Sequence, residues 1–318
     1  DVGKKAGRVN RIFKTTQKVY QKAIELDSDI YHLHDPELIP IGLKLKKIGK
    51  KVIFDVHENI ALQILDKEYI PKTLRKLISK IYRWYEVKSL KKFDTLILAE
   101  HSYKNYYKEL NNKIEIILNM PDVKPLEQFV SEKRDKNEIF YIGGISNDRG
   151  FKVTVEALKL LKNKSIDFFM HYIGPYSIDL INSINLDEIE NNIKLYGRMS
   201  LYEGLEYSRN AKVGLSILKP IGNYTSSYST KVFEYMTLGL PVITSNFQLY
   251  KDVVEKYKCG ICVDPLNPKE IADAIEYIMT HPLEAKKMGE NGKKAVIQKY
   301  NWSIEEEKLF SVYKWLSQ

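Results

Sequence analysis

From Asp29 to the end of the chain, short apolar runs of β type alternate with amphipathic helical stretches. That alternation admits few folds. A strand that is apolar along its length is buried on both faces, and a strand–helix–strand repeat brings the chain back parallel to itself. Strands are predicted over 29–35 (DIYHLHD), 51–58 (KVIFDVHE), 94–100 (DTLILAE) and 113–120 (KIEIILNM), with helices over 36–50, 71–93 and 102–110. The pattern loosens at Pro121, Pro125 and the charged SEKRDKNE of 131–138. It then restarts with strands over 138–144, 167–175, 192–199 and 212–218 and in LPVITS, and helices over 151–163 and 202–211. Three helices close the chain at about 268–280, 282–299 and 303–316.

A chain of 318 residues suits two domains of roughly 150 residues each. The expected organisation is two doubly wound α/β domains, over 1–125 and 126–300, with a helix over 301–318 able to return to the first. No apolar run approaches the roughly 18 residues that cross a bilayer, so a cytoplasmic chain is expected. Cys259 and Cys262 are spaced C-x-x-C, but no second pair of Cys or His at metal-ligand spacing accompanies them, and CGICVDP reads as the strand itself. Charge is uneven: residues 1–130 hold 25 Lys/Arg against 17 Asp/Glu, and the remainder 25 against 24. The first half is therefore expected to face something anionic. No helix-turn-helix, RRM or zinc-finger signature points to nucleic acid.

Doubly wound sheets bind ligands beyond the C-terminal ends of their strands. In YIGGISNDRGFKVTVEAL a strand ends at Gly143-Gly144, and Arg149-Gly150 opens a helix. Glycines admit close backbone approach, and a helix N-terminus offers free N–H groups and a positive dipole end. With Arg149 and Lys152 beside it, the loop suits a phosphate or diphosphate, although an ordinary strand-to-helix turn has the same outline. In TKVFEYMTLGLPVITS, Ser229 or Thr230 can cap a helix whose first turn carries Lys231. Glu234, one turn on, can accept both hydrogen bonds of a vicinal diol. The alternatives are a surface carboxylate or an i,i+3 pair with Lys231.

These segments, with KMGENGKKAVIQKYNW near the end, resemble the retaining glycosyltransferases of family 4, which have the GT-B fold: two Rossmann-like domains facing across a cleft. The resemblance covers the chain from Asp29 onward. It implies that Arg149 and Lys231 hold the donor diphosphate and act in catalysis, with Gly143, Gly144, Lys152, Ser229 and Thr230 around them. Glu234 would bind the ribose, and Gly197, Arg198 and Met199 of LYGRMS the base, a uracil. The chain departs from the family twice. Ser226 stands where many members have a second glutamate touching the sugar, and Gly144 where many have an arginine. The family's N-terminal domain has about two more strand–helix units ahead of the point where Asp1 stands, so the acceptor side is expected to be incomplete.

By the same resemblance, His57 in FDVHEN lies beside the reacting sugar, with Glu58, His34, Asp35 and His101 as acceptor-side candidates. His32 and His34 share a strand face, so two metal ligands are conceivable. With no third ligand at a fixed spacing, they read as a polar pair lining the cleft. His171 reads as core. No metal cofactor is expected, since the family uses helix dipoles and cationic side chains. The function implied is retaining transfer of a hexose or N-acetylhexosamine from a UDP-sugar to an undecaprenyl-diphosphate-linked saccharide, in capsule or O-antigen assembly. A nonhydrolysing sugar-nucleotide epimerase and a non-catalytic sugar-nucleotide or polyanion binder remain alternatives. In helix 71–93, the stripe Leu74, Leu77, Ile78, Ile81 and Tyr85 is ringed by Lys and Arg beside Trp84. It suits an anionic membrane surface at the inner face of a bacterial plasma membrane, or else packs into the core.

Overall fold

The computed structural model describes residues 14–67, 69–110 and 113–318. It divides into two units. One runs to Leu118 and takes back Glu305–Gln318; the other is Asn119–Ile304. The division thus falls before the expected 125/126 boundary.

In the first unit, α1 (Thr16–Leu26) precedes β1 (Ile30–Leu33), α2 (Ile39–Lys47), β2 (Lys51–Val56), α3 (Ile60–Asp66) and α4 (Lys72–Leu90). Then come β3 (Thr95–Leu98), α5 (Tyr103–Tyr107) and β4 (Lys113–Ile116). The strands form one parallel sheet in the order β1-β2-β3-β4. Val52, Leu96, Leu98 and Leu45 pack in its core at almost no exposure, as strands covered on both faces require. The register matters later: His32 pairs with Ile53 and Leu33 with Phe54, so His34 falls beside Asp55 just past the end of β1.

The second unit holds β5 (Glu138–Ile142), α6 (Phe151–Asn163), β6 (Phe169–Ile173), α7 (Ile178–Asn182), β7 (Ile193–Leu195), α8 (Leu201–Glu206) and β8 (Ala211–Ser216). These are followed by α9 (Thr230–Thr237), β9 (Val242–Ser245), α10 (Gln248–Val254), β10 (Gly260–Val263), α11 (Pro268–Thr280) and α12 (Pro282–Gln298); α13 (Trp302–Leu316) ends the chain. The parallel sheet runs β10-β9-β8-β5-β6-β7. The chain winds outward from β5 to β7, then returns to lay β8 on the other side of β5. Strand order therefore reverses between β5 and β8, the switch point at which such sheets open a crevice for ligands.

The charged segment at which the strand–helix pattern loosens belongs to this unit. Arg134 donates to the carbonyls of Ser208, Arg209 and Ala211 through one guanidinium nitrogen and to that of Leu238 through another. A guanidinium spread over four carbonyls ties β8 to the end of α9, while Glu132, Lys133, Asp135 and Lys136 around it are exposed. Both cysteines are free, their thiols pushed up to about 12 by burial, in keeping with a strand and not a reactive pair.

Candidate functional site

A pocket of about 430 Å³ opens at the switch point of the second sheet. It is lined by Gly143 and Arg149 from the loop after β5, by Tyr224 and Ser227 from the loop after β8, and by Lys231 and Glu234 of α9, among others.

Each part is held by local chemistry. The Ser146 hydroxyl accepts from the Arg149 N–H at 3.3 Å, closing a 3₁₀ turn over Asn147–Arg149. Gly150 then takes φ 74°, and a Cβ there would stand 2.7 Å from the Ile217 side chain, so only glycine lets α6 start at this point. The Arg149 guanidinium lies beside the hydroxyls of Tyr224 and Tyr141, and Tyr141 donates its own proton to the Gly144 carbonyl at 2.6 Å. α9 is pinned to the sheet by Tyr235, whose hydroxyl accepts from the Ile142 N–H and donates to the Leu215 carbonyl. The ring of Tyr235 fills the space over Gly214. That anchor explains why a helix with a charged first turn is otherwise apolar: its deep face is core, and its N-terminus is held at the crevice.

Lys231 is the unusual group. It is 7% exposed, and its Nζ has no hydrogen-bond partner. The ammonium lies 4.0 Å from the centroid of the Tyr141 ring. A Cβ built on Gly143, whose φ is 131°, would meet Nζ at 2.9 Å. Burial, then the neighbouring Arg149, lowers the Lys231 pKa to about 7, against the pull of Glu234. Burial raises Glu234 above the ordinary carboxylate range, and Lys231 opposes the shift. No ion pair joins the two, so the i,i+3 pairing considered from sequence is not formed. A buried cation without a partner costs free energy that an anionic ligand would return.

The structure brings Gly143, Arg149, Ser229, Thr230, Lys231 and Glu234 to this pocket. Other expected donor residues do not line it. Lys152 is exposed on α6 and Arg198 after β7, with Met199 packed near Gly204 and Gly197 accepting from the Gly174 N–H. Gly144 does not line the pocket either, although a Cβ on it would be 3.7 Å from the Arg149 guanidinium. Ser226 turns away and donates to the Asn223 carbonyl; its neighbour Ser227 faces the pocket with an unpartnered hydroxyl. Ser229 precedes α9 without a side-chain cap, and its N–H donates to the Tyr250 hydroxyl. Tyr224, Ser227 and Tyr228 escaped the sequence reading because their loop has no periodicity. The one available signal was its position between the end of β8 and the start of α9.

In the first unit, a pocket of about 600 Å³ is lined by His34, Asp35, Asp55, His57 and Glu58, among others. His101 is exposed and does not line it. The Asp55 Oδ2 lies 3.3 Å from His57 Nε2, 3.4 Å from His34 Nδ1 and 3.6 Å from His32 Nε2. Burial would raise the Asp55 pKa, but the three imidazoles outweigh it and hold the carboxylate well below its ordinary range. The hydrogen bond His57 donates to the Asp55 carboxylate raises the His57 pKa. The His57 carbonyl accepts from the Tyr103 hydroxyl at 3.2 Å. His171 is buried on β6 between Tyr196 and Glu138, as expected of a core residue.

A family model for glycosyl transferases group 1 matches residues 107–295, and one for glycosyltransferase family 4 matches residues 3–124. This chain belongs to the glycosyl transferases group 1. It is 24% identical over 182 residues to an alpha-D-kanosaminyltransferase of Streptomyces kanamyceticus, covering 57% of this chain and 46% of that protein. It is 25% identical over 208 residues to the capsular polysaccharide biosynthesis glycosyltransferase CapM of Staphylococcus aureus, covering 64% and 50%. The chain thus spans about half the length of these curated relatives. Among solved structures, it resembles Anabaena HepE in complex with UDP at a TM-score of 0.73 and 14% identity, covering 95% of this chain and 82% of that one. A glycosyltransferase of Rickettsia africae gives 0.75 and 16%, covering 100% and 84%. The fold is therefore the glycosyltransferase fold of two Rossmann-like units, GT-B.

Proposed function

We propose that this glycosyltransferase takes its sugar from a UDP-sugar bound at the switch-point pocket of the second unit. The observation that carries the reading is the convergence there of Arg149 and the buried, unpartnered Lys231 on the loop of Gly143, at the N-terminus of α9. As the C1–O bond to the diphosphate breaks, negative charge gathers on the leaving oxygen. Two fixed cations and the first-turn N–H groups of α9 meet that charge without reorganising. Glu234 accepts hydrogen bonds from the ribose diol. The acceptor hydroxyl attacks on the face the diphosphate leaves, and its proton passes to the departing phosphate, so configuration is retained. No side-chain nucleophile and no metal at the diphosphate take part. The pocket lined by His57, His34, Asp35 and Glu58 serves the acceptor sugar.

The acceptor proposed is a lipid-diphosphate-linked saccharide of capsule or O-antigen assembly, such as one on undecaprenyl diphosphate. The likeness to CapM supports this, as does α4, whose apolar stripe is not core: Leu77 is 56% exposed, Ile81 58% and Trp84 62%, among basic side chains. Such a face suits an anionic bilayer surface, and hence a peripheral enzyme at the inner leaflet. The reading is tested by Arg149→Ala with UDP-sugars and a lipid-diphosphate sugar. Loss of one charge-stabilising donor should lower kcat/KM by about 2–4 kcal/mol. Unchanged UDP release by the variant would remove the assignment, and UDP-sugar turnover that needs no acceptor would instead indicate an epimerase.

A further inference from the structure

The first unit carries a side-chain cluster none of whose members lines the pocket of the second unit. Two strand ends with period-2 polar positions lie side by side: His32 and His34 at the end of β1, Asp55 and His57 at the end of β2. The pairing register sets His34 next to Asp55 and turns all four side chains to one face. Their ring nitrogens crowd a single oxygen, Asp55 Oδ2, at 3.3, 3.4 and 3.6 Å, while the sister oxygen Oδ1 is buried and accepts nothing. The Nδ1 of His34 and the Nε2 of His57 are also 3.3 Å apart. The Nε2 of His32 is buried with no hydrogen-bond partner, its Nδ1 being engaged by the Tyr313 hydroxyl at 2.9 Å.

These distances have a simple meaning. Zinc bonds of about 2.0–2.1 Å to nitrogen and oxygen place tetrahedral donors about 3.3–3.4 Å from one another. The three edges joining Asp55, His34 and His57 have that length, and the edge from Asp55 to His32 is little longer. Donor atoms of His32, His34 and Asp55 all lie within 4.8 Å of one another. A hydrogen-bonded network alone accounts poorly for three imidazoles on one oxygen and none on its twin. The Tyr313 hydroxyl on His32 supplies the outer contact that orients a metal-bound imidazole. We propose that Asp55 and His34, with a third donor from His57 or His32, bind one divalent transition-metal ion of the zinc class beside the pocket of the first unit. Imidazoles joined by a carboxylate select such an ion over Mg²⁺ or Ca²⁺, which prefer oxygen donors. His34 and His57 remain partly exposed, so the ion can load from solvent and exchange. The ion lies outside the donor pocket, so the inference does not depend on how UDP is held.

The test uses the full chain, stripped with chelator and titrated with Co²⁺ as the spectroscopic probe. Saturation at one equivalent, with strong visible d–d bands of four-coordinate cobalt displaced by Zn²⁺, is expected. Thiolate-to-metal charge-transfer bands should be absent, which separates this site from Cys259 and Cys262. His34→Ala, at an exposed side chain, should weaken binding by more than the roughly 10–100-fold that loss of an outer contact costs. His281→Ala, in the other unit, should leave binding unchanged. His57→Ala gives an independent reading should Asp55→Asn fail to fold. Weak six-coordinate spectra, no break at one equivalent, or equal affinity in His34→Ala would overturn the proposal and leave a proton-sharing cluster.

Discussion

The two pockets solve opposite electrostatic problems. At the switch point of the second unit, two cations are brought together with no ion pair to Glu234, the carboxylate in the same pocket: Arg149 lies beside two phenols, and Lys231 is buried against the Tyr141 ring with its ammonium unpartnered. In the first unit one carboxylate oxygen has three imidazoles within 3.6 Å. The first arrangement gains from a ligand that supplies negative charge, the second from one that supplies positive charge. Binding free energy at a site of the first kind includes relief of a penalty stored by the fold.

The sharpest way to break this contrast is to remove the central charge from each pocket. Asp55→Asn leaves three imidazoles around a neutral amide. It should destabilise the chain by about 2–3 kcal/mol, the worth of hydrogen bonds to a charged group, as measured by urea unfolding of metal-free protein. Lys231→Met should act in the opposite sense. A thioether of similar length fills the space without a buried charge, so the ligand-free chain should gain about 1–2 kcal/mol while UDP affinity falls at least tenfold. Destabilisation by Lys231→Met, or UDP affinity preserved in it, would show that the ammonium is not held in reserve for an anion.

A smaller effect separates α4 from the core helices. Leu77→Glu changes an exposed position, so the unfolding midpoint should stay within about 0.5 kcal/mol of the parent. Sedimentation with vesicles rich in anionic lipid should nevertheless drop several-fold, since a carboxylate then sits on the apolar face. Vesicle binding equal to the parent's would assign the stripe to another partner.

What could be read from the chain followed from local chemistry. Fully buried parallel strands such as β3 and β9 announce themselves by apolar runs, and Gly143, Arg149, Lys231 and Glu234 by their place at strand ends and helix starts. Short helices such as α3 and α10 carry too few turns for a period to show. Arg134 reads as one more charge in a stretch without periodicity because its carbonyl partners lie more than seventy residues away. Asp55 was passed over for the same reason. It becomes a third ligand for His32 and His34 only when β1 and β2 pair in one particular register. Long-range partners decide such residues, and no window of sequence contains them.

The last test follows Lys231 with pH. Its pKa in the folded chain is about 7, well below the 10.5 of an unhindered lysine. Between those values the unfolded chain binds a proton that the folded chain does not, so the stability of the ligand-free protein should rise with pH across this window. UDP reverses the sign. A diphosphate beside the ammonium favours its charged form, so above pH 7 binding must take up a proton. Affinity should then fall by up to tenfold for each pH unit, a slope of about 1.4 kcal/mol. Below pH 7 the lysine is already charged, and its contribution to the slope should vanish. Calorimetry of UDP binding at pH 8 in buffers of different ionisation enthalpy counts that proton directly, and Lys231→Met should show none. Proton uptake that persists in Lys231→Met would move the titration to Glu234, whose pKa burial raises, and would assign the reserve of charge to the carboxylate instead of the ammonium.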